Sequence, residues 1–315
     1  MIIKKISNKI FNTLGFEVNV KRRRRKLNSV KKKHEISLEP IKDDPLKFEL
    51  HYDLANKYFE NNNIYAAYAE LKTAEHLGLD KNIFLSKEKV FNKMKPDLIE
   101  MNHNQYFRFK TISSEIYKNI GKLSKNPTIL DIGGGNGELA SFIPDFGYCL
   151  AEPNTNGING LNLPFKDESF DLVVSCHVLE HIPINERDTF LDQLLSKSKK
   201  GIILLNPIHI EQTLPNERIQ LVIDVTNAPW AKEHLDCSLP FVDSIKEYAI
   251  KRNLKFHYTP NGTMTTSMAL VFFDFLSNQM DINKYKKINE FFNSKYIDIL
   301  DSKEFPNAGL FYLEK

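Results

Sequence analysis

An aspartate followed at alternate positions by three glycines, Asp131, Gly133, Gly135 and Gly137 in TILDIGGGNGELA, is the stretch of this chain best suited to holding a small molecule. Glycine lets the backbone turn sharply and approach a ligand with no Cβ in the way, and a helix starting just beyond it presents free N–H groups. The spacing discriminates among glycine loops. A triphosphate loop needs GxxxxGK[ST], which is absent, and a dinucleotide fingerprint needs GxGxxG, whereas the last interval here is one residue too short. A second acid, Glu152, ends the next apolar run 21 residues after Asp131, where a carboxylate can accept hydrogen bonds from a pair of hydroxyls.

Three histidines have the right proton affinity for general-base work near neutrality: His177 and His181 in HVLEHIP, and His234 in WAKEHLD. Each could equally be packed in the core or cap a helix. His177 and His181 stand four apart with Glu180 alongside, which superficially suggests a metal pair on one helix face. Pro183 limits that helix and no third ligand is identifiable, so no metal is expected. The only tryptophan, Trp230, lies beside Glu233, His234 and Asp236; an aromatic platform with carboxylates suits a sugar, and a cap that merely completes the core is the alternative.

These residues need strands to carry them. PTILDI (127–132), YCLAEP (148–153), FDLVVSC (170–176) and GIILLNP (201–207) are short apolar runs with little polar alternation, as expected of strands buried on both faces. Helical segments lie between and around them: 105–123 before the first, 186–199 before GIILLNP, then 241–252 and an insert near 264–300. Strands at 254–260 and 309–315 complete an alternating α/β pattern. At 315 residues with 42% apolar and 26% charged, the chain can bury a large core, which excludes wholesale disorder and fibrous classes. No apolar run is long enough for a membrane span. Cys149, Cys176 and Cys237 contain no CxxC pair, so neither a disulfide framework nor a cysteine zinc site is expected, and a reducing cytoplasmic compartment is the default.

Taken together, Asp131, the glycines, Glu152, LPF (163–165) and FDLVVSCHVLEH resemble class I S-adenosylmethionine methyltransferases, in order and in spacing, over roughly residues 103–260 and the last strand. The resemblance implies a Rossmann-like seven-stranded sheet with its last strand antiparallel. It further implies that Asp131 and the Gly133–Gly137 backbone hold the methionine part of the cofactor, Glu152 the ribose, and Asn162 with Leu163 the adenine. Arg108 would pair with the cofactor carboxylate, unless it is an ordinary surface cation, and Ser175 sits at the ligand-binding end of the fourth family strand. Two departures stand out. Asn162 replaces the usual aspartate, and only ten residues separate Glu152 from Asn162, too few for a crossover helix. That side of the sheet is expected to be trimmed.

The remaining segments have different characters. Residues 1–33 carry net +11, which leaves −8 for the rest of a chain whose total is +3. Ile3, Ile6, Ile10 and Leu14 place an apolar stripe on this basic tail, so residues 1–44 are read as a tail and linker able to adsorb to an anionic membrane surface. Nucleic-acid phosphate would attract the same charges, but the acidic body, the lack of an RNA-binding aromatic motif and the lack of a base-flipping motif make that partner unlikely. Residues 45–98 form an all-helical extension. Leu54, Ala55, Tyr58, Ala67, Leu71 and Ala74 fall at the offsets of one tetratricopeptide-like helix pair, a hairpin that docks on the main domain or on a protein partner.

Residues 99–315 then form the catalytic domain, with inserts at 207–240 and 263–301. Resemblance to bacterial surface-glycan methyltransferases implies a small-molecule or lipid-linked sugar acceptor and a cytoplasmic enzyme peripheral to the membrane. RNA or protein methylation is one alternative. A non-catalytic scaffold using the hairpin is the other.

Overall fold

The structure, a computed structural model, describes residues 36–295 and 304–315. The tail, residues 1–33, lies outside the described residues, so its amphipathic stripe and partners are not placed. The apolar runs become strands β1 (Thr128–Ile132), β2 (Gly147–Ala151), β3 (Leu172–Cys176), β4 (Gly201–Pro207), β5 (Lys255–Thr263) and β6 (Pro306–Glu314). They form one sheet in the order β2-β1-β3-β4-β6-β5, with the first four parallel and β6 antiparallel to both its neighbours.

Side chains alternate between two cores along β1 to β4 and β6, whereas the edge strand β5 packs Phe256 and Tyr258 against one of them and leaves its other face exposed. Ile129, Leu150, Val174 and Leu205 enter the one beneath α5 (His103–Lys118), while Leu130, Ala151, Val173 and Leu204 enter the one beneath α6 (Arg187–Lys197) and α9 (Val242–Lys251). Both faces are covered, which is why the runs carry so little polar alternation.

Two expectations are corrected. The described sheet has six strands where seven were expected: residues 152–171, between β2 and β3, contain turns but no strand. Consequently β2 is the sheet edge. A helix was also expected directly after the glycines, yet Glu138–Ser141 is only a four-residue 3-10 turn. The extension occupies the space instead. It begins with a short α1 (Glu39–Asp43), followed by α2 (Phe48–Glu60), α3 (Ile64–Leu77) and α4 (Lys81–Met94). Ala66, Ala69 and Ala74 of α3 are completely buried, small enough for close approach. Ala69 comes so near the glycine loop that a Cβ on Gly137, whose φ is +73°, would lie 2.2 Å from its own. The open edge of β2 is satisfied from the same quarter: Leu150 N donates to Thr73 Oγ1 of α3 (3.0 Å), and Leu150 O accepts from Asn156 Nδ2 (2.8 Å).

Two insertions cap the other end of the sheet. After β4 come α7 (Pro215–Thr226) and α8 (Pro229–Cys237), both with proline in the first turn, and between β5 and β6 come α10 (Met264–Leu276) and α11 (Ile282–Lys295). Ile219, Val222, Ala231 and Leu239 form a small core of their own, against which Met268 and Val271 of α10 pack. Among the described residues no helix is long and apolar enough to cross a membrane.

Candidate active site

Parallel strands deliver their carboxyl ends to one side of the sheet, and β1, β3 and β4 each end there in a polar residue that the protein leaves partly unsatisfied. Asp131 is buried; its Oδ2 accepts from the Tyr148 hydroxyl (2.7 Å), but Oδ1 has no partner. Ser175 Oγ on β3 and Asn206 Nδ2 on β4 are likewise buried and unpartnered. Buried polar groups are normally paired, so a row of orphans at one edge marks where a ligand belongs. Burial pushes Asp131 up to about 7, with the charges of Glu138 and Glu152 adding to the effect and the Tyr148 hydrogen bond opposing it.

The glycine loop is fastened on both sides. Glu152 Oε2 accepts from Gly135 N (3.2 Å), its Oε1 accepts from Asn154 N (3.0 Å), and Thr155 Oγ1 donates to Gly135 O (2.6 Å). Gly135 has φ of +60°, and a Cβ there would meet nothing nearer than Glu138 Oε2 at 3.7 Å, so the loop faces free space at this residue. Of the expected adenine pair, Asn162 is exposed, whereas Leu163 is 6% exposed and packs in the core.

Beyond β3 the chain turns abruptly. His177 adopts φ of +58°, a left-handed conformation that a non-glycine residue rarely takes, and its N–H donates to Leu205 O (2.8 Å). Asn206 Oδ1 then accepts from Val178 N (3.3 Å) and Leu179 N (3.2 Å). This brings Glu180 and His181, on a 3-10 turn, against His234 of α8. Glu180 is fully buried, and neither carboxylate oxygen forms an aligned hydrogen bond, although His177 Nδ1 lies 3.2 Å from Oε1. His181 Nδ1 is 2.7 Å from Glu233 Oε2, and its Nε2 is 3.3 Å from His234 Nε2. Burial, then the neighbouring Arg108 charge, lowers the proton affinity of His177. Burial lowers His234 to about 4. Both are therefore neutral near pH 7. The sequence offers no third donor beside His177 and His181; the fold supplies one, because the insert returns His234 to them.

These residues open onto a cavity of about 350 Å³, walled by α5, α7, α8, α10 and the start of β6. Arg108, His177, Glu180, His181, Trp230 and His234 line it, and so does Arg218, which nothing in the sequence singled out. Arg218 donates to Thr213 O (2.6 Å) and contacts the Met264 sulfur, and burial lowers it to about 10. Neither Arg108 nor Arg218 is ion-paired among the described residues. Asp236 is exposed and does not line the cavity, while Glu233 reaches the site through His181. Asn206 could have been noticed as the polar residue closing GIILLNP. Arg218 carries no sequence signal, because its position depends on how the insert folds.

At the end of the first strand the site combines an acid and an alternate-glycine loop with unsatisfied polar atoms on the neighbouring strands. Residues 104–258 match the sequence model of a methyltransferase domain. An uncharacterized methyltransferase of Mycobacterium tuberculosis is 30% identical over a 102-residue alignment that covers 24% of this chain and 40% of that protein. A tRNA (carboxymethyluridine(34)-5-O)-methyltransferase of Saccharomyces cerevisiae is 30% identical over 89 residues, 23% of this chain and 32% of that one. The chain thus spans about 40% or less of the length of these curated relatives. A SAM-dependent methyltransferase of Archaeoglobus fulgidus superposes with a TM-score of 0.40 at 14% identity, covering 66% of this chain and 94% of that one.

The residues present fit that cofactor. A buried acceptor with no partner, Asp131 Oδ1, suits an ammonium, and the open side of Gly135 leaves room for a ligand against the backbone.

Proposed function

We propose that this protein transfers a methyl group from S-adenosylmethionine to a hydroxyl of a sugar held in the cavity, the sugar being part of a surface glycan or its nucleotide- or lipid-linked precursor. The observation that carries the reading is the adjacency of two unlike regions: unsatisfied polar atoms at the ends of β1, β3 and β4, and, beyond His177, a cavity lined by histidines, a tryptophan and two cations without ion-pair partners among the described residues. The bound cofactor supplies an electrophilic methyl group. Asp131, the backbone from Gly133 to Gly137 and Glu152 would hold it, with Arg108 at its carboxylate. A hydroxyl acceptor must lose a proton as it reacts, and His177, neutral and held at the junction of the two regions, would accept it. Trp230 offers an apolar ring for a sugar face, and Arg218 a charge for a phosphate on a nucleotide- or lipid-linked acceptor. Residues 1–33 would bring the enzyme to an anionic membrane surface where lipid-linked sugars reside.

Calorimetric titration with S-adenosylmethionine tests the first half. Wild type is expected to bind, and Gly135→Asp and Glu152→Ala to lose binding; a folded wild type that binds nothing ends the reading. Methyl transfer from labelled cofactor to nucleotide- and lipid-linked sugars, with bulk tRNA alongside, tests the second. Labelling of tRNA alone would replace the sugar by RNA.

A further inference from the structure

We propose that Glu180, His181 and His234 form a binding site for a divalent transition-metal ion in the wall of the acceptor cavity. One ligand atom from each of the three lies within 4.8 Å of the others. The proton positions favour coordination. Glu233 can only accept, so in the neutral ring His181 Nδ1, 2.7 Å from it, is the protonated nitrogen and Nε2 holds the lone pair. That lone pair accepts from His234 Nε2 at 3.3 Å, a hydrogen bond that an ion would replace when the His234 proton sits on Nδ1 instead. Two imidazole nitrogens bound to one tetrahedral ion at roughly 2.0–2.1 Å sit about 3.4 Å apart, so the spacing is already that of a shared ligand.

Glu180 supplies the charge. Its carboxylate is fully buried with both oxygens lacking an aligned hydrogen bond, Oε1 lying 3.9 Å from His234 Nε2. A buried anion normally finds donors or a cation. Two imidazoles and a carboxylate are a donor set for divalent first-row metals, and three protein ligands leave further positions open. Those positions face the cavity, since Glu180, His181 and His234 all line it. Glu233 serves as the outer carboxylate that orients a ligating imidazole through its other nitrogen, and His177 Nδ1, 3.2 Å from Glu180 Oε1, steadies the carboxylate. The ion's purpose, to hold an acceptor hydroxyl oxygen beside His177, rests on the methyl-transfer reading; its existence does not.

The test uses the full chain, stripped with chelator and titrated with Co²⁺ while the visible absorption of the ion is followed. One equivalent is expected to bind with a d–d band, displaced by Zn²⁺. Glu180→Gln and His234→Ala should abolish the band. His181→Ala, at a more exposed ligand, should do the same if the buried variants do not fold. Glu233→Gln should weaken binding roughly 10–100-fold. Gly135→Asp should bind Co²⁺ as wild type does even if it loses S-adenosylmethionine, so a failure of the cofactor reading leaves the metal result standing. A folded wild type that takes up no Co²⁺, Zn²⁺ or Mn²⁺, or a band that persists in the ligand variants, overturns the proposal.

Discussion

The glycine-loop half of the site and the histidine half are built in opposite ways. Around β1 and β2 the functional groups lie within about 30 residues of one another, from Asp131 to Asn162, and neighbouring backbone holds them: Glu152 grips Gly135 N and Asn154 N directly. The histidine half is assembled from afar. His181 and His234 are 53 residues apart and meet only because the insert after β4 folds back over the strand ends. On the proposed function, the cofactor is met by a local motif and the acceptor by an insertion. Substitutions should therefore separate the two halves cleanly.

Gly135→Asp is the sharpest break. Its φ of +60° disfavours any side chain, and the new carboxylate would enter the free space beside Glu138 and Glu152. Loss of cofactor affinity by more than about a hundredfold is expected in calorimetry, from steric exclusion together with like charges. A variant that keeps wild-type affinity would mean the cofactor does not sit against this loop. In the other half, His177→Ala should lower kcat by about 10²–10⁴-fold while the dissociation constant of S-adenosylmethionine stays within about twofold, as expected of a proton acceptor outside the cofactor contacts. Equal loss in both measurements would join the halves.

The same contrast decides what was legible. Six strands, the order of the motifs and the buried residues Ala67, Leu71 and Ala74 of α3 follow from local pattern, since period and composition report burial directly. The missing helix after the glycines was not legible; beside this turn lies Ala69 of α3, 68 residues upstream and pressed against Gly137. For the same reason His234 and Arg218 gave no sign of their place: whether such residues face a cavity, the core or solvent is settled by tertiary packing.

Asp131 gives a pH-dependent test within the first half. Its folded value of about 7 lies above the ordinary 3.8, so the neutral carboxyl is the form the fold prefers. The resulting stability is fully present below the unfolded value and is lost as pH rises through 7. Asp131→Asn, which cannot ionise, should thus become more stable than the cofactor-free wild type as pH rises from 4 to 8, by about 3–4 kcal/mol at the upper end. Denaturant midpoints at several pH values measure this. A difference independent of pH would mean the carboxyl titrates as it does in water. A cationic ligand at Oδ1 should draw the proton off, so cofactor binding at pH 6.5 should release protons to the buffer.

The smallest effect should come from the hairpin, and it tests whether the first half is as local as it looks. Glu70 of α3 is completely buried; His51 Nδ1 lies 2.6 Å from its Oε2, and Asn156 Nδ2 donates to its Oε1 (2.9 Å). His51 Nε2 faces Pro45 O at 3.0 Å, so both ring nitrogens meet acceptors and the imidazolium is favoured. Burial works against that charge, but Glu70 outweighs it and His51 is raised above 6.5. Asn156 passes the constraint on, because its Oδ1 accepts from Glu152 N (3.1 Å). Glu70→Gln keeps the shape and removes the charge, and should cost about 1–3 kcal/mol of stability. In wild type the ion pair's contribution is fully present below pH 6.5 and lost as pH rises through the folded value, so the cost should shrink in alkaline denaturation curves. A loosened Asn156 should also weaken cofactor binding a few-fold through Glu152. Lost stability with unchanged affinity would instead show that the loop holds itself and that the hairpin only covers the open edge of β2.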